Sequence, residues 1–274
     1  MQTNTQTPVR RLVESAIMVA LAVVLSLIKL AELPYGGSVT CASMLPILIV
    51  AYRNGPLWGL GSGLVFSVVQ LVTGLSVLSY VTGWQSVLAV ILLDYIFAFV
   101  VSGLGGIFRK QGRSQETALI FGALLVSVLR FFFHVVSGAT VWAGLSIPDG
   151  AALGYSLVYN ATYMIPETIV TMIVGYYIGS VLDFRKTDVR RYQAPKESGV
   201  PALRYIAGLV IAAALVVVTA LVFAKLQNAE SGAFDITGLS AVNWTVVLIV
   251  SGAGVLTAAV LFILSKKLPA KKQA

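Results

Sequence analysis

Apolar residues dominate the chain in long runs that are separated by short polar segments. Most runs are long enough for a helix that crosses the hydrocarbon core of a bilayer, which takes about 20 residues. The runs cover residues 12–31, 42–52, 56–80, 86–108, 117–143, 155–182, 203–224 and 242–265. The second run is short and contains Pro46, so it predicts a partial, tilted or re-entrant span that is packed in protein. The pattern predicts eight helices joined by short connections.

The composition indicates an integral membrane protein and leaves no room for a sizeable soluble domain. The chain is 58% hydrophobic and 11% charged, whereas a typical globular domain is about 25% charged. The chain has a formal net charge of +8. Basic residues in cytoplasmic loops are typical of membrane proteins, so this charge gives no reason to expect a nucleic acid partner. The single histidine excludes metal sites that need two imidazoles, and we expect neither a metal nor a cofactor.

The basic residues predict the orientation in the membrane. If the N-terminus is cytoplasmic and each run crosses once, every Lys and Arg lies inside except Lys29, Lys225 and Arg130. Such an excess of basic residues marks the cytoplasmic side. We therefore expect a multi-pass protein of the cell membrane with both termini in the cytoplasm.

The polar and basic segment 183–202 contains two prolines and predicts a cytoplasmic linker. It separates a six-span core, residues 10–182, from a two-helix extension, residues 203–268. The middles of the last two spans hold no ionisable residue, so we expect the functional chemistry in the core. The predicted fold class is an all-α integral membrane protein with a six-helix core and two extra C-terminal transmembrane helices.

Ionisable residues inside the spans are candidates for function because a charge in lipid is unfavourable. On the fifth span, Arg130, His134, Gly138 and Trp142 recur every fourth residue, which predicts one stripe along the helix. In this interpretation Gly138 leaves a gap in which a flat ring lies between His134 and Trp142. An interfacial belt position is the alternative for Trp142.

Two carboxylates lie at similar depth to this stripe. Counting from Trp84 at about 1.5 Å per residue puts Asp94 roughly 15 Å below the outer end of the fourth span, and the sequence indicates no obvious partner for it. Arg130 and Glu167 come out at equal depth and predict a buried ion pair, either structural or part of a site. A carboxylate without a protein partner favours a ligand that is cationic or donates hydrogen bonds.

Short motifs follow one another along residues 10–182. They are Glu14-Ser15-Ala16 through Ala20, Gly36-Gly37-Ser38-Val39, Pro46-Ile47, Leu92-Leu93-Asp94-Tyr95, Leu129-Arg130, His134 with Ser137-Gly138 and Trp142, Tyr155-Ser156-Leu157 and Tyr159-Asn160-Ala161-Thr162-Tyr163. As an ordered set they resemble the thiamine-specific substrate-binding (S) components of energy-coupling factor transporters. Two departures are that Asp94 stands where some members have Glu, and that the first outer loop has Tyr35 but no tryptophan.

The resemblance implies a six-helix membrane domain that captures thiamine from outside and catalyses no reaction. It implies partners, namely a transmembrane coupling protein and two ATPase subunits, and docking through Ala16 and Ala20. The implied substrate-binding residues are Asp94, Tyr95, His134, Trp142, Tyr155 and Asn160. The sequence has no Gly-Lys dipeptide and so no P-loop, which agrees with ATP hydrolysis by partners.

Other functions stay open at this point. The chain is alternatively an S component for another flat vitamin, or a secondary carrier that works alone. A membrane enzyme that uses Asp94 and His134 as acid and base belongs to a different class, and the sequence has no nucleophile or metal motif that would favour it.

Overall fold

The computed structural model describes residues 7–110, 114–142, 152–191, 201–226 and 235–268. The chain divides into two compact units, with the boundary between Arg191 and Tyr192. This boundary falls inside the segment 183–202. The finer division into a core, a linker and an extension stays a prediction.

The described residues are predominantly helical, which confirms the predicted all-α membrane class. The helices are α1 (Pro8–Leu27), α2 (Leu45–Asn54), α3 (Pro56–Thr73), α4 (Trp84–Lys110), α5 (Gln115–Thr140), α6 (Ala152–Val181), α7 (Pro201–Leu226) and α8 (Trp244–Lys267). Within the described ranges, α3 to α8 are the six helices that are long and apolar enough to cross a membrane. Helix α1 carries three charged residues near its start and α2 has only 10 residues, so these two are not among the six.

The first helix is shorter than the first apolar run. It ends at Leu27, and Lys29–Glu32 forms strand β1, which pairs antiparallel with β2 (Ser38–Thr40). The prediction of a membrane span that continues to residue 31 is therefore wrong. The reason is a tight turn between the strands, where Tyr35 and Gly36 have positive φ angles of 66° and 97°.

Helix α2 is the buried centre of the first unit. Every residue from Leu45 to Arg53 is buried. The apolar side chains of α2 pack in two clusters, one with residues of α5 and the other with residues of α1 and α3. A short helix is tolerated at membrane depth when protein surrounds it. The prediction that this run is packed in protein is confirmed.

Helix α4 departs from regular α-helical geometry along most of its length. Ile91–Phe97, which includes Asp94, forms a π-helical segment, and Val101–Lys110 is a 3-10 helix. Glycines allow α4 to lie directly on its neighbours. A Cβ on Gly103 would lie 2.1 Å from the backbone of α3, and one on Gly106 would lie 2.2 Å from the backbone of α2.

A buried arginine at the end of α2 fastens the segment that follows α6. Arg53 pairs with Glu14 of α1. It also donates hydrogen bonds to the carbonyl oxygens of Phe184 (2.9 Å), Lys186 and Thr187 (3.2 Å each). Residues 184–187, which the sequence assigns to a linker, therefore pack against the helices of the first unit.

The first unit closes with a short antiparallel pair, β3 (Leu182–Asp183) and β4 (Arg190–Arg191). Asp188 lies in the connection between the two strands, and its Oδ1 accepts a hydrogen bond from Arg10 of α1 over 2.5 Å. This hydrogen bond and the positive charge of Arg10 favour the carboxylate, so the pKa of Asp188 lies below its usual value.

The second unit is a pair of helices in contact, α7 and α8. A Cβ on Gly254 of α8 would lie 2.6 Å from Ala214 Cβ of α7, so the glycine lets the helices approach closely. Asn243 caps α8 by accepting a hydrogen bond from Val246 N (3.2 Å).

Candidate functional site

A carboxylate in contact with three polar side chains lies between α4 and the C-terminal end of α5. His134 Nδ1 lies 2.9 Å from Asp94 Oδ1. Ser137 Oγ donates to Asp94 Oδ2 over 2.5 Å, and Trp142 Nε1 donates to the same oxygen over 3.3 Å. The structure therefore brings together three of the predicted site residues, Asp94, His134 and Trp142, and adds Ser137.

These contacts change the interpretation of Asp94. The expectation that it has no partner in the protein is wrong, because His134, Ser137 and Trp142 all turn their polar atoms toward it. Trp142 is only 8% exposed. Its burial and its hydrogen bond to Asp94 disfavour a belt position for the indole.

The space beside Gly138 is already filled. A Cβ on Gly138 would lie 2.1 Å from Ser156 Oγ of α6. The prediction that Gly138 leaves a gap for a flat ring is therefore wrong, because the glycine instead allows α5 and α6 to pack closely.

A row of aromatic side chains on α6 faces the cluster of Asp94, His134, Ser137 and Trp142, called the Asp94 group below. The rings of Tyr155 and Tyr159 are nearly parallel, at 12°, with their centroids 6.4 Å apart. Tyr159 and Tyr163 meet edge to face at 5.7 Å, and Tyr163 contacts the His134 ring at 6.4 Å. Tyr155 is thus connected through two further tyrosines to His134.

Asn160 lies on α6 within this row. Its Oδ1 accepts a hydrogen bond from Tyr163 Oη (2.7 Å), and its Nδ2 donates to Ser156 O (2.9 Å). Tyr159 and Tyr163 were not predicted as site residues. The signal that would have found them is that Tyr155, Tyr159 and Tyr163 recur every four residues, which puts all three on one helix face.

The β1–β2 hairpin packs against the same group. The Tyr35 ring lies 6.3 Å from the Trp142 ring and 5.8 Å from the Tyr80 ring. Gly37 N donates to Tyr159 Oη over 3.1 Å. A Cβ on Gly37 would lie 2.7 Å from that oxygen, so a glycine is required for this close approach.

Tyr95, another predicted site residue, lies on a different contact. Its hydroxyl donates to Gly74 O (3.0 Å), where α3 ends. A Cβ on Gly74 would lie 2.5 Å from Tyr95 Oη, so the two groups are tightly packed. The structure therefore does not place Tyr95 with the Asp94 group, and a substrate contact for it stays a prediction.

The predicted buried ion pair is confirmed one helical turn from His134. Arg130 Nη1 lies 3.0 Å from Glu167 Oε2, and both side chains are almost completely buried. Thr40 Oγ1 donates to the other carboxylate oxygen over 2.7 Å. The guanidinium carbon also lies 5.1 Å from the centre of the Phe99 ring, within the range of a cation–π contact.

The two alanines predicted to form a docking face are exposed on α1. Their neighbours Val13 and Ile17 are also exposed, at 52% and 63%. The residues of α1 that are buried are Ser15, Val19 and Ala22. The structure thus leaves Ala16 and Ala20 on the outer surface of the first unit and does not use them for packing inside it.

These features define a helical, multi-pass membrane protein in which α4, α5 and α6 enclose a carboxylate among aromatic side chains. In the part of the chain that the structure describes, no group of three or more His, Cys, Asp or Glu residues is arranged to hold a metal ion. The polar groups suit hydrogen bonding to a small molecule, and the rings suit stacking on a flat or cationic one.

The chain belongs to the thiamine transporter protein family (Thia_YuaJ), whose model matches residues 12–183. The resemblance found in the sequence is confirmed in this respect, and the protein is a membrane protein of thiamine uptake. The match ends two residues after α6, so α7 and α8 lie outside it.

Two relatives are named thiamine transporter ThiT. The one from Bacillus subtilis (strain 168) is 38% identical over 176 residues, which is 60% of this chain and 87% of the relative. The one from Lacticaseibacillus paracasei is 28% identical over 183 residues, covering 60% of this chain and 83% of the relative.

Proposed function

We propose that this protein is the thiamine-binding S component of an energy-coupling factor transporter. It captures thiamine from outside the cell at the group formed by α4, α5 and α6, and it catalyses no reaction itself. It then docks on a transmembrane coupling protein that two ATPase subunits drive. In this proposal the protein lies in the plasma membrane with both termini in the cytoplasm, as the basic residues predict.

The observation that carries the proposal is the placement of Asp94 next to His134 and Trp142 in a chain of the thiamine transporter family. Thiamine has a permanently positive thiazolium, which a carboxylate and aromatic faces stabilise. It also has a flat aminopyrimidine, which stacks on an indole and needs hydrogen-bond partners. Tyr155 and Asn160, on the facing helix, extend the aromatic and polar surface.

Docking on a coupling protein is supported by the surface of α1. Ala16 and Ala20 are exposed and lie one turn apart, so a partner helix can approach the backbone of α1 closely. The lack of a P-loop in the sequence agrees with an ATPase on separate subunits.

The experiment that tests the proposal is a binding measurement on protein purified in detergent. Titration with a panel of vitamins, followed by tryptophan fluorescence, is expected to give stoichiometric binding of thiamine without turnover. Uptake in cells is expected to require co-expressed coupling protein and ATPases. Binding of a different vitamin, product formation, or uptake without the ATPases would each contradict the corresponding part of the proposal.

Trp142→Ala is expected to weaken thiamine binding by about 0.5–1.5 kcal/mol, the range for an aromatic contact. It is also expected to remove most of the fluorescence quenching that thiamine causes, because in the proposed site this indole lies against the ligand ring. Both effects are measured in one fluorescence titration.

Trp84→Ala is the matched control, since Trp84 is 72% exposed and lies at the start of α4. Trp58 and Trp244 serve in the same way. Quenching that survives in Trp142→Ala and disappears in Trp84→Ala would show that the ligand lies elsewhere.

A further inference from the structure

Two carboxylates near the site, the partly buried Asp94 and the buried Glu167, have partners of different kinds. Asp94 accepts hydrogen bonds from Ser137 and Trp142 and contacts His134, whereas Glu167 accepts from the guanidinium of Arg130. The arginine charge is thus held by a carboxylate other than the one placed to meet a cationic ligand.

Arg130 is close enough to this group for its charge to matter. It precedes His134 by four residues on α5, so the two side chains leave the same face of the helix one turn apart. Arg130 is 5% exposed. Buried charges are screened much less than exposed ones, so an arginine without a counter-charge here would repel a cation bound at Asp94.

The carboxylate of Glu167 is fixed in the orientation that meets Arg130. Thr40 Oγ1 donates to Oε1, and Thr40 in turn shares a hydrogen bond with Ser43 Oγ over 2.8 Å. Because Thr40 occupies Oε1, the other carboxylate oxygen, Oε2, accepts the hydrogen bond from Arg130. The Phe99 ring lies against the guanidinium and further restricts its position. The network joins β2, α4, α5 and α6.

We propose that Glu167 determines the charge selectivity of the binding site. By holding the guanidinium of Arg130, it leaves Asp94 to balance the positive charge of the ligand. This inference rests on the proposed function, because it takes thiamine as the ligand, and it makes Glu167 a positioning residue that acts through Arg130.

The test compares two ligands that differ in charge. Thiamine carries the thiazolium cation, and 3-deazathiamine is its neutral analogue, in which carbon replaces the charged nitrogen. The dissociation constants of both ligands are measured by fluorescence titration in wild type and in Glu167→Gln. In this variant the Kd of thiamine is expected to rise by more than about tenfold, because the buried arginine charge loses its counter-charge. The Kd of the neutral analogue is expected to change by less than about threefold, which also shows that the variant is folded.

Arg130→Gln is the matched control, since it breaks the same ion pair from the other side. It removes the positive charge, so the preference for thiamine over the neutral analogue is expected to stay or to increase. A purely structural ion pair would give the same result for both variants, namely a parallel loss of both ligands. That outcome, or an unchanged preference in Glu167→Gln, would overturn the inference. A wild-type protein that does not bind thiamine would instead overturn the proposed function.

Discussion

Ala16→Trp or Ala20→Trp is expected to abolish thiamine uptake by cells while leaving thiamine binding by the purified protein near the wild-type value. Both alanines are exposed on α1, so a bulky side chain at either position meets no packed neighbour inside the first unit. On the proposed docking face, however, an indole would keep a partner helix from approaching the backbone, and close packing is a main source of helix association in lipid. Uptake of labelled thiamine and fluorescence titration measure the two properties separately.

Ala259→Trp is a suitable control for this experiment. Ala259 is likewise an exposed alanine on an apolar helix, α8, but it lies outside the segment that matches the family. We expect normal uptake from this variant. Normal uptake in both α1 variants would show that their surface is not the docking site. A joint loss of uptake and binding would show that the alanines support the fold after all.

Asp94→Asn is expected to weaken thiamine binding by about 1.5–3 kcal/mol, the range for a hydrogen bond to a charged group. This corresponds to an increase of the Kd by roughly ten- to 150-fold. The variant removes the negative charge that balances the thiazolium in the proposed site. It also replaces one acceptor oxygen by an NH2 donor where Asp94 contacts His134, Ser137 and Trp142.

Asp235→Asn controls for the general effect of this substitution, because Asp235 caps a short 3-10 helix (Ile236–Ala241) in the second unit, outside the segment that matches the family. The affinity of the Asp235→Asn variant for thiamine is expected to equal that of wild type. Thermal unfolding in detergent shows whether Asp94→Asn is folded. An unchanged Kd in a folded Asp94→Asn protein would remove Asp94 from the binding site.

The positions of the helices follow from the sequence because each apolar run has to be covered by lipid or protein. The strand at Lys29–Glu32 does not follow from it, since a single hydrogen-bonded hairpin at the end of an apolar run leaves the hydropathy pattern unchanged. The π-helical segment Ile91–Phe97 is also invisible in the sequence. It depends on packing against neighbouring helices, and no residue type marks it.

The candidate site was predictable where the geometry of a helix alone determines which residues share a face or a depth. Spacing by four residues put His134 and Trp142 on one stripe, and equal depth paired Arg130 with Glu167, which the structure confirms. Depth and spacing do not show which way a neighbouring helix faces. For that reason the contact of Tyr95 with the end of α3 was missed, as was the filling of the space beside Gly138 by α6.

The buried helix α2 has a consequence for how the protein is made. As a helix of 10 residues it covers about 15 Å, half of a hydrocarbon core of about 30 Å. It therefore has no stable place in the bilayer by itself, and one of its two packing clusters includes buried side chains of α5 and Phe184 beyond α6. We expect α2 to settle late during synthesis, after α5 has entered the membrane. The single cysteine of the chain, Cys41, lies just before α2. In nascent chains that stop before α5 it would react faster with water-soluble thiol reagents than in the folded protein, where it is partly buried.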